Sequence, residues 1–368
     1  MDTAVVTDGK YRAAVAAARA LGRGGWQVSA VQTRGDQGLE PPVFASRYVR
    51  EGRWLEGTAA DPDYPDRLYQ LLEERHRPVL FCAGAATLNA VARQRERFAQ
   101  VCDFLIAPPE ALDALNDKEA VHRRCEELGI PVPREFDGEP DRYPVVIKPH
   151  CGEKLGLKAK DRYAVAQNAQ EYAAKRAAMA RCDPRPIVQE RVEGPGAGAS
   201  LLLDRDSRLI CALCHRRIRE YPASGGPSTC CESFYDEEMI DRAYRLLSSF
   251  RFVGMAMVEF KGDRVLEVNP RVWGSFPMTE RAESPFVLRY AQAARGERLD
   301  YAPRDYKTGA RMRFTLNDGA AMLDYLRHGR PGPFFQGMAD WFRAKEALGA
   351  RDDPAPLRRY LRNTLLRR

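Results

Sequence analysis

Near residue 270, three side chains of different chemistry occupy alternate positions of one short segment: Glu267, Asn269 and Arg271. The alternation of apolar and polar residues there predicts a β-strand. In such a strand Leu266 and Val268 face a core, and the three polar groups share the opposite face. Packing does not require a carboxylate, an amide and a guanidinium in one row. They suit a magnesium-bound triphosphate, because Mg²⁺ prefers oxygen ligands and leaves coordination places for phosphate oxygens.

The preceding strand ends near Glu259, which could supply a second carboxylate. With a two-residue turn at Gly262-Asp263, Glu259 and Glu267 lie on opposite faces of the hairpin. With a three-residue connection that includes Arg264, they lie directly across from each other. The metal site requires the three-residue connection. The alternative is a half-exposed hairpin whose charged face is solvated, since short motifs of this kind also occur by chance.

The stretches MVEFK and LEVNPRVWGS within residues 257–275 resemble the carboxy-terminal metal-binding signature of the ATP-grasp ligases. Other stretches match this family in order and spacing: Asp117-Lys118 before a helix, the strand 143–149, the glycine-containing loop 151–156, the hinge segment 187–194 and the block 215–228. The last block resembles the predicted ATP-dependent carboligase, or carboxylate–amine ligase, branch related to the carbamoyl-phosphate synthetase large chain. The resemblance covers roughly residues 1–300.

This resemblance implies a mixed α/β and α+β fold in three parts. A Rossmann-like pre-ATP-grasp domain would span 1–112, a two-lobed ATP-grasp domain 113–298, with a lobe hinge near 189–194, and a small C-terminal extension 299–368. Alternating strand and helix patterns in the first part independently favour a parallel sheet. No Gly-x-Gly-x-x-Gly follows its first strand, which argues against dinucleotide binding.

The resemblance also implies nucleotide contacts. They are Lys118 and Lys148 at the triphosphate, Gly152, Lys154 and Gly156 in a loop over the phosphates, and Gln189, Glu190 and Val192 at the adenine. Lysine offers a flexible point charge to phosphate oxygens, and a helix start also favours anions. Hinge backbone groups can match the donor and acceptor edge of adenine. Where many relatives have an acidic residue for the ribose, this chain has Gly196-Ala197-Gly198, so the ribose contact stays open.

The strand within the block 215–228 alternates as well, which predicts that His215, Arg217 and Arg219 point into the cleft. Arginine suits a substrate carboxylate or a moving phosphoryl group, because it makes bidentate contacts. For His215, a structural hydrogen bond and proton transfer both remain open.

The implied reaction is phosphoryl transfer followed by ligation. The resemblance assigns Mg²⁺ to Glu259, Glu267 and Asn269, and Mn²⁺ is expected to be able to substitute for it. It assigns Arg271 to the moving γ-phosphoryl group of ATP. A substrate carboxylate would become an acyl phosphate, which an amine then converts to an amide. Alternatives are a carboligase that activates bicarbonate or carbamate, a carbamoyl-phosphate-type kinase, and a non-catalytic ATP-binding module.

The composition limits which classes of binding partner and which cellular compartment we expect. The net charge is +7, but the basic residues are not concentrated in one stripe with interleaved aromatic residues. This distribution argues against nucleic-acid binding. Much of the surplus lies in the last residues, 357–368, expected to be a solvated helix end or a subunit contact. We therefore expect small-molecule partners, no membrane association and a cytoplasmic location, and a homodimer stays open.

The nine cysteines are scattered, which predicts reduced thiols. Cys211 and Cys214 lie three residues apart in an alternating strand, so they should face opposite sides and not converge on a zinc ion.

Overall fold

The computed structural model describes residues 2–36, 39–150, 163–223 and 226–366. The N-terminal part contains a parallel four-stranded sheet in the order β3-β2-β1-β4. Its strands are β1 Thr3–Val6, β2 Gln27–Thr33, β3 Val49–Leu55 and β4 Val79–Phe81. The accompanying helices are α1 Arg12–Arg23, α2 Tyr64–Glu73, α3 Ala85–Arg93, α4 Arg95–Phe98 and α5 Pro109–Asn116. The predicted Rossmann-like sheet is confirmed.

A second, antiparallel sheet has three strands in the order β6-β5-β7. They are β5 Val145–Lys148, β6 Ala164–Ala166 and β7 Ile187–Glu190, accompanied by α6 Lys118–Glu127 and α7 Ala169–Ala180. The Asp117 carboxylate caps α6 by accepting hydrogen bonds from the amides of Glu119 and Ala120. This cap fixes the helix start at Lys118, as the sequence predicted.

The third sheet has seven strands in the order β12-β11-β8-β9-β10-β13-β14. They are β8 Gly196–Leu203, β9 Leu209–Glu220, β10 Ser228–Phe234, β11 Gly254–Lys261, β12 Arg264–Asn269, β13 Arg311–Arg313 and β14 Lys345–Glu346. The remaining helices are α8 Glu237–Ser249, α9 Met278–Arg281, α10 Phe286–Ala294, α11 Thr315–Arg327, α12 Pro331–Ala339 and α13 Ala355–Leu366. Within the described ranges, no helix is long and apolar enough to cross a membrane.

The C-terminal segment joins the large sheet to the N-terminal part. Strand β13 pairs with β10, whereas α13 packs on the short 3₁₀ helix Pro42–Ala45. The buried Asp353 carboxylate accepts hydrogen bonds from Arg19 Nε at 2.9 Å, from Ser46 Oγ at 2.7 Å and from the Arg47 amide at 3.0 Å. The basic C-terminal helix is therefore an intramolecular contact of this chain, not only a solvated end.

Replacing Asp353 with alanine should destabilise the protein strongly, because it leaves the fully buried Arg19 guanidinium without its main carboxylate. Breaking a buried ion pair from one side typically costs about 3–5 kcal/mol. Asp141→Ala is a matched control, since Asp141 pairs with Arg134 on the surface, where such pairs contribute about 0–1 kcal/mol. Urea unfolding should separate the two variants clearly. Similar losses in both would contradict this role of Asp353.

Candidate functional site

A cleft of about 1390 Å³ lies between the three-stranded sheet, one side of the seven-stranded sheet and helices α3 and α5. All predicted site residues that the structure describes line this cleft: Lys118, Lys148, Gln189, Glu190, Val192, Arg217, Arg219, Glu259, Glu267, Asn269 and Arg271. Gly152, Lys154 and Gly156 lie outside the described residues. The tertiary structure therefore brings residues from five separate sequence motifs to one cavity.

Glu259 and Glu267 are directly opposite each other across β11 and β12, so this predicted pairing is confirmed. The predicted three-residue connection is wrong. Lys261 pairs with Arg264, which leaves a two-residue turn at Gly262-Asp263. Gly262 has a φ of +58°, a conformation that glycine adopts without strain in a tight hairpin turn.

A β-bulge at Leu266 restores the pairing that the short turn alone would prevent. Phe260 pairs with Val265, but Glu259 already pairs with Glu267, so Leu266 is the extra residue of β12. Leu266 therefore lines the cleft, and Val265 is fully buried in the core. The expectation that Leu266 faces the core is wrong, because the bulge changes the alternation within the strand.

A polar cluster behind the cleft contacts the bulge. The Nε2 atom of His122 on α6 lies 3.4 Å from the Leu266 carbonyl oxygen, and its Nδ1 atom lies 2.7 Å from Glu135 Oε1. Gln189 Nε2 donates to the same Glu135 oxygen at 2.8 Å. The Gln189 side chain is thus buried in this polar cluster. Sequence reasoning missed His122 and Glu135, because neither belongs to a recognisable motif.

The two carboxylates have different neighbours. Glu259 accepts hydrogen bonds from Arg217 Nη2 at 2.5 Å and from Asn269 Nδ2 at 3.2 Å. Glu267 Oε2 lies 3.4 Å from Lys118 Nζ. Among the described residues, no group of three His, Cys, Asp or Glu side chains could hold a metal ion. Two carboxylates and an amide nevertheless fit Mg²⁺ when nucleotide oxygens complete its coordination.

Local charges set the protonation of these carboxyl groups. Burial raises the pKa of Glu259, and neighbouring Glu267 adds to that rise, although Arg217 opposes it. Burial also acts to raise the pKa of Glu267, but Lys118 and Lys148 outweigh it, so the pKa is lowered. The pair is therefore balanced by cations from three elements, and a divalent ion would further relieve its repulsion.

Lys148 ends β5 inside the cleft. Burial, with a smaller contribution from the charge of Lys118, lowers the pKa of Lys148 to about 8. An approaching phosphate would favour the charged ammonium and raise this pKa again.

Glycines on β8 explain the open surface beside Glu259. A Cβ atom at Gly196 would lie 3.0 Å from Arg217 Cδ, and one at Gly198 would lie 2.8 Å from His215 Cε1. Side chains at these two positions would therefore displace Arg217 or His215.

His215 is buried, and its Nε2 atom lies 2.9 Å from Ser275 Oγ. Burial, together with Arg217, lowers the pKa of His215 to about 3, so its ring is neutral near pH 7. The expectation that His215 points into the cleft is wrong, and its structural role is supported.

Arg219 is among the residues that line the cleft, but its guanidinium is bound by a partner from another element. Its side chain is 1% exposed and makes two 2.8 Å hydrogen bonds to the Asp318 carboxylate on α11. A buried guanidinium requires such a partner. The expectation that this guanidinium points into the cleft is therefore wrong; Arg219 anchors α11 to the sheet.

The hinge residue Glu190 is also engaged. Its amide donates to the Arg134 carbonyl at 2.9 Å, and its carboxylate accepts from the Arg134 amide at 3.0 Å and pairs with Arg264. Val192 lines the cleft. Adenine binding at this hinge stays a prediction.

Arg271 lines the cleft two residues beyond the end of β12, and its Nη1 atom donates to the Val272 carbonyl at 3.1 Å. The cleft also includes residues that the sequence did not indicate: Asn89, Arg93, Asp113, Tyr325 and Arg330. No local pattern marks these residues, because their location depends on how the N- and C-terminal segments pack.

The family model described as "ATP-grasp domain" matches residues 115–275. This chain contains an ATP-grasp domain. The match includes the three-stranded sheet, strands β8 to β12 and the paired glutamates, and it confirms the family resemblance and the mixed fold class. A search of curated protein sequences gave no significant match.

Solved structures share the fold at low sequence identity. Biotin carboxylase from Campylobacter jejuni, in a β-γ-ATP complex, is 14% identical with a TM-score of 0.64, covering 84% of this chain and 74% of that chain. The biotin carboxylase domain of Hydrogenobacter thermophilus 2-oxoglutarate carboxylase, a dimer with MgADP, ADP and bicarbonate, is 14% identical with a TM-score of 0.62, covering 84% and 73%. L-amino acid ligase from Bacillus licheniformis is 15% identical with a TM-score of 0.57, covering 80% and 74%.

If Lys148 contacts the nucleotide phosphates, as the sequence predicts, nucleotide affinity should fall by about tenfold between pH 7 and pH 9, because the pKa of Lys148 is about 8 and the side chain loses its charge over this range. Binding raises that pKa, so nucleotide binds more weakly wherever the free lysine is neutral. Calorimetric titration with ADP at constant Mg²⁺ measures this dependence. Lys148→Arg should flatten it, since arginine stays charged. Lys175→Arg, on α7 outside the cleft, should keep it; an unchanged slope in Lys148→Arg would exclude this explanation.

Proposed function

We propose that this protein is an ATP- and Mg²⁺-dependent ligase that activates a small-molecule carboxylate as an acyl phosphate and joins it to an amine. One observation carries the proposal: Glu259 and Glu267 face each other in a cleft that also contains Lys118, Lys148 and Arg217. Paired carboxylates suit a divalent ion, and the surrounding cations suit a triphosphate and an acid. The ATP-grasp family match supports the same class of chemistry.

In this proposal, Glu259, Glu267 and Asn269 hold Mg²⁺, which neutralises part of the triphosphate charge when bound. Lys118 and Lys148 orient the phosphates. The substrate carboxylate attacks the γ-phosphorus, the bond to the β-phosphate oxygen breaks and ADP leaves. The amine then attacks the acyl carbon, the carbon–oxygen bond to the phosphate breaks, and inorganic phosphate departs with the bonding electron pair while the nitrogen loses a proton to solvent.

Arg271 and Arg217 have separate proposed tasks. Arg271 stabilises charge on the moving phosphoryl group, and Arg217 orients the carboxylate through bidentate contacts. Arg219 has no such task, because Asp318 already occupies its guanidinium.

We also propose the domain boundaries 1–112, 113–298 and 299–368. The last segment is closely integrated with the second, since β13 and β14 extend the seven-stranded sheet. Its residues Tyr325 and Arg330 reach the cleft, so it would contribute to substrate selection.

Glu267→Gln should lose ADP production by about a hundredfold or more while the protein stays folded, because it removes one negative charge from the proposed metal site but keeps the size of the side chain. Glu283→Gln is the matched control, since Glu283 is an exposed residue outside the cleft. ADP release is measured by a coupled assay, and folding by circular dichroism. Normal turnover in Glu267→Gln would rule out this metal site.

ADP release should require a carboxylate and an amine together. A panel of amino acids and small amines, with mass analysis of the products, tests this requirement. ADP release with bicarbonate alone would favour the carboligase or carbamoyl-phosphate-type alternative. ATP binding without turnover under any combination would favour a non-catalytic ATP-binding module.

A further inference from the structure

Arg217 occupies one end of the candidate metal site. Its Nη2 atom donates to Glu259 Oε2 at 2.5 Å, the oxygen on the side away from Asn269. Its Nη1 atom donates to the Gly226 carbonyl at 3.3 Å. A guanidinium and a divalent cation at the same carboxylate repel each other, so the two compete for Glu259.

The sheet leaves a direct path for this contact. Arg217 lies on β9 and Glu259 on β11, and β8 lies between these strands. On β8 the residues beside them are Gly196 and Gly198, and the Arg217 side chain passes within 3.0 Å of a Cβ position at Gly196. The two glycines thus permit a side chain to cross a whole strand and reach the metal ligand.

A second anionic partner lies on the other side of the guanidinium. Glu220 Oε2 is 3.9 Å from Arg217 Nη1, and both residues line the cleft. A cation at Glu259 would therefore not leave Arg217 without a nearby carboxylate. Small rotations of its side chain would move the guanidinium from Glu259 toward Glu220 and Gly226.

We propose that Arg217 and a divalent cation compete for Glu259, and that a cation bound there releases Arg217 to bind the substrate carboxylate. This inference rests on the proposed function, and it adds an order of binding. The substrate carboxylate can bind the Arg217 guanidinium only after the metal and its nucleotide have bound. Phosphoryl transfer to an acid in an incompletely assembled site is thereby avoided.

The test is the affinity of the protein for Mn²⁺ alone, measured by electron paramagnetic resonance without nucleotide. Arg217→Gln removes the competing charge and should bind Mn²⁺ at least about fivefold more tightly than the parent, the lower end of typical coupling between sites. A merely structural arginine would weaken metal binding or leave it unchanged when replaced. Equal or weaker Mn²⁺ affinity in Arg217→Gln would overturn the proposal.

Arg216→Gln is the matched control, because Arg216 is the neighbouring arginine and pairs with Glu232 instead. Its Mn²⁺ affinity should equal that of the parent. If Arg217→Gln fails to fold, Arg217→Met, which keeps an apolar stem over Gly196, carries the same expectation. Absence of Mn²⁺ binding in parent and variants would overturn the metal site and the proposed function together, whereas equal binding in all would overturn only the competition by Arg217.

Discussion

The candidate site depends on the register of one hairpin. The two-residue turn at Gly262-Asp263 would place Glu259 and Glu267 on opposite faces, and only the bulge at Leu266 makes them neighbours. Without that extra residue, one carboxylate would point into the core and the other into the cleft. The contact between His122 and the Leu266 carbonyl oxygen connects the bulge to α6, the helix that also begins with Lys118.

Charge balance connects this hairpin to the rest of the fold. Two adjacent carboxylates in a partly buried cleft repel each other unless cations approach them. Lys118 comes from a capped helix, Lys148 from the end of β5 and Arg217 from across β8, so three elements must assemble before the pair is tolerated. In the proposed function, the same cations bind the phosphate and carboxylate groups. The cations that stabilise the glutamate pair in the fold are therefore the same ones that the proposed reaction requires.

Periodicity and the family resemblance predicted much of this arrangement. The helix start at Lys118 was expected from the resemblance, and the structure shows that Asp117 caps it. The strand around Val268 follows from alternation, because that signal is local. The pairing of Glu259 with Glu267 was predicted correctly, but from a three-residue turn that the structure does not have. A bulge adds one residue without a distinctive composition, so alternation alone placed Leu266 in the core.

Other features depend on partners far along the chain. Strand alternation placed Arg219 toward the cleft, but Asp318, which binds it, is 99 residues away and follows the matched motifs. His122 and Glu135 carry no motif, and their role emerges only when α6 packs behind β12. Alternation predicts which face a side chain takes, but not which group it meets there.

We propose that Glu259 and Glu267 together hold the metal of a bound nucleotide. A crystal structure with Mn²⁺ and a non-hydrolysable ATP analogue would locate this metal, because Mn²⁺ gives an anomalous signal. We expect one anomalous peak between the two carboxylates, with phosphate oxygens completing the coordination at about 2.0–2.2 Å, close to the Mg²⁺ distance. A nucleotide bound in the cleft with its metal contacting neither glutamate would contradict it.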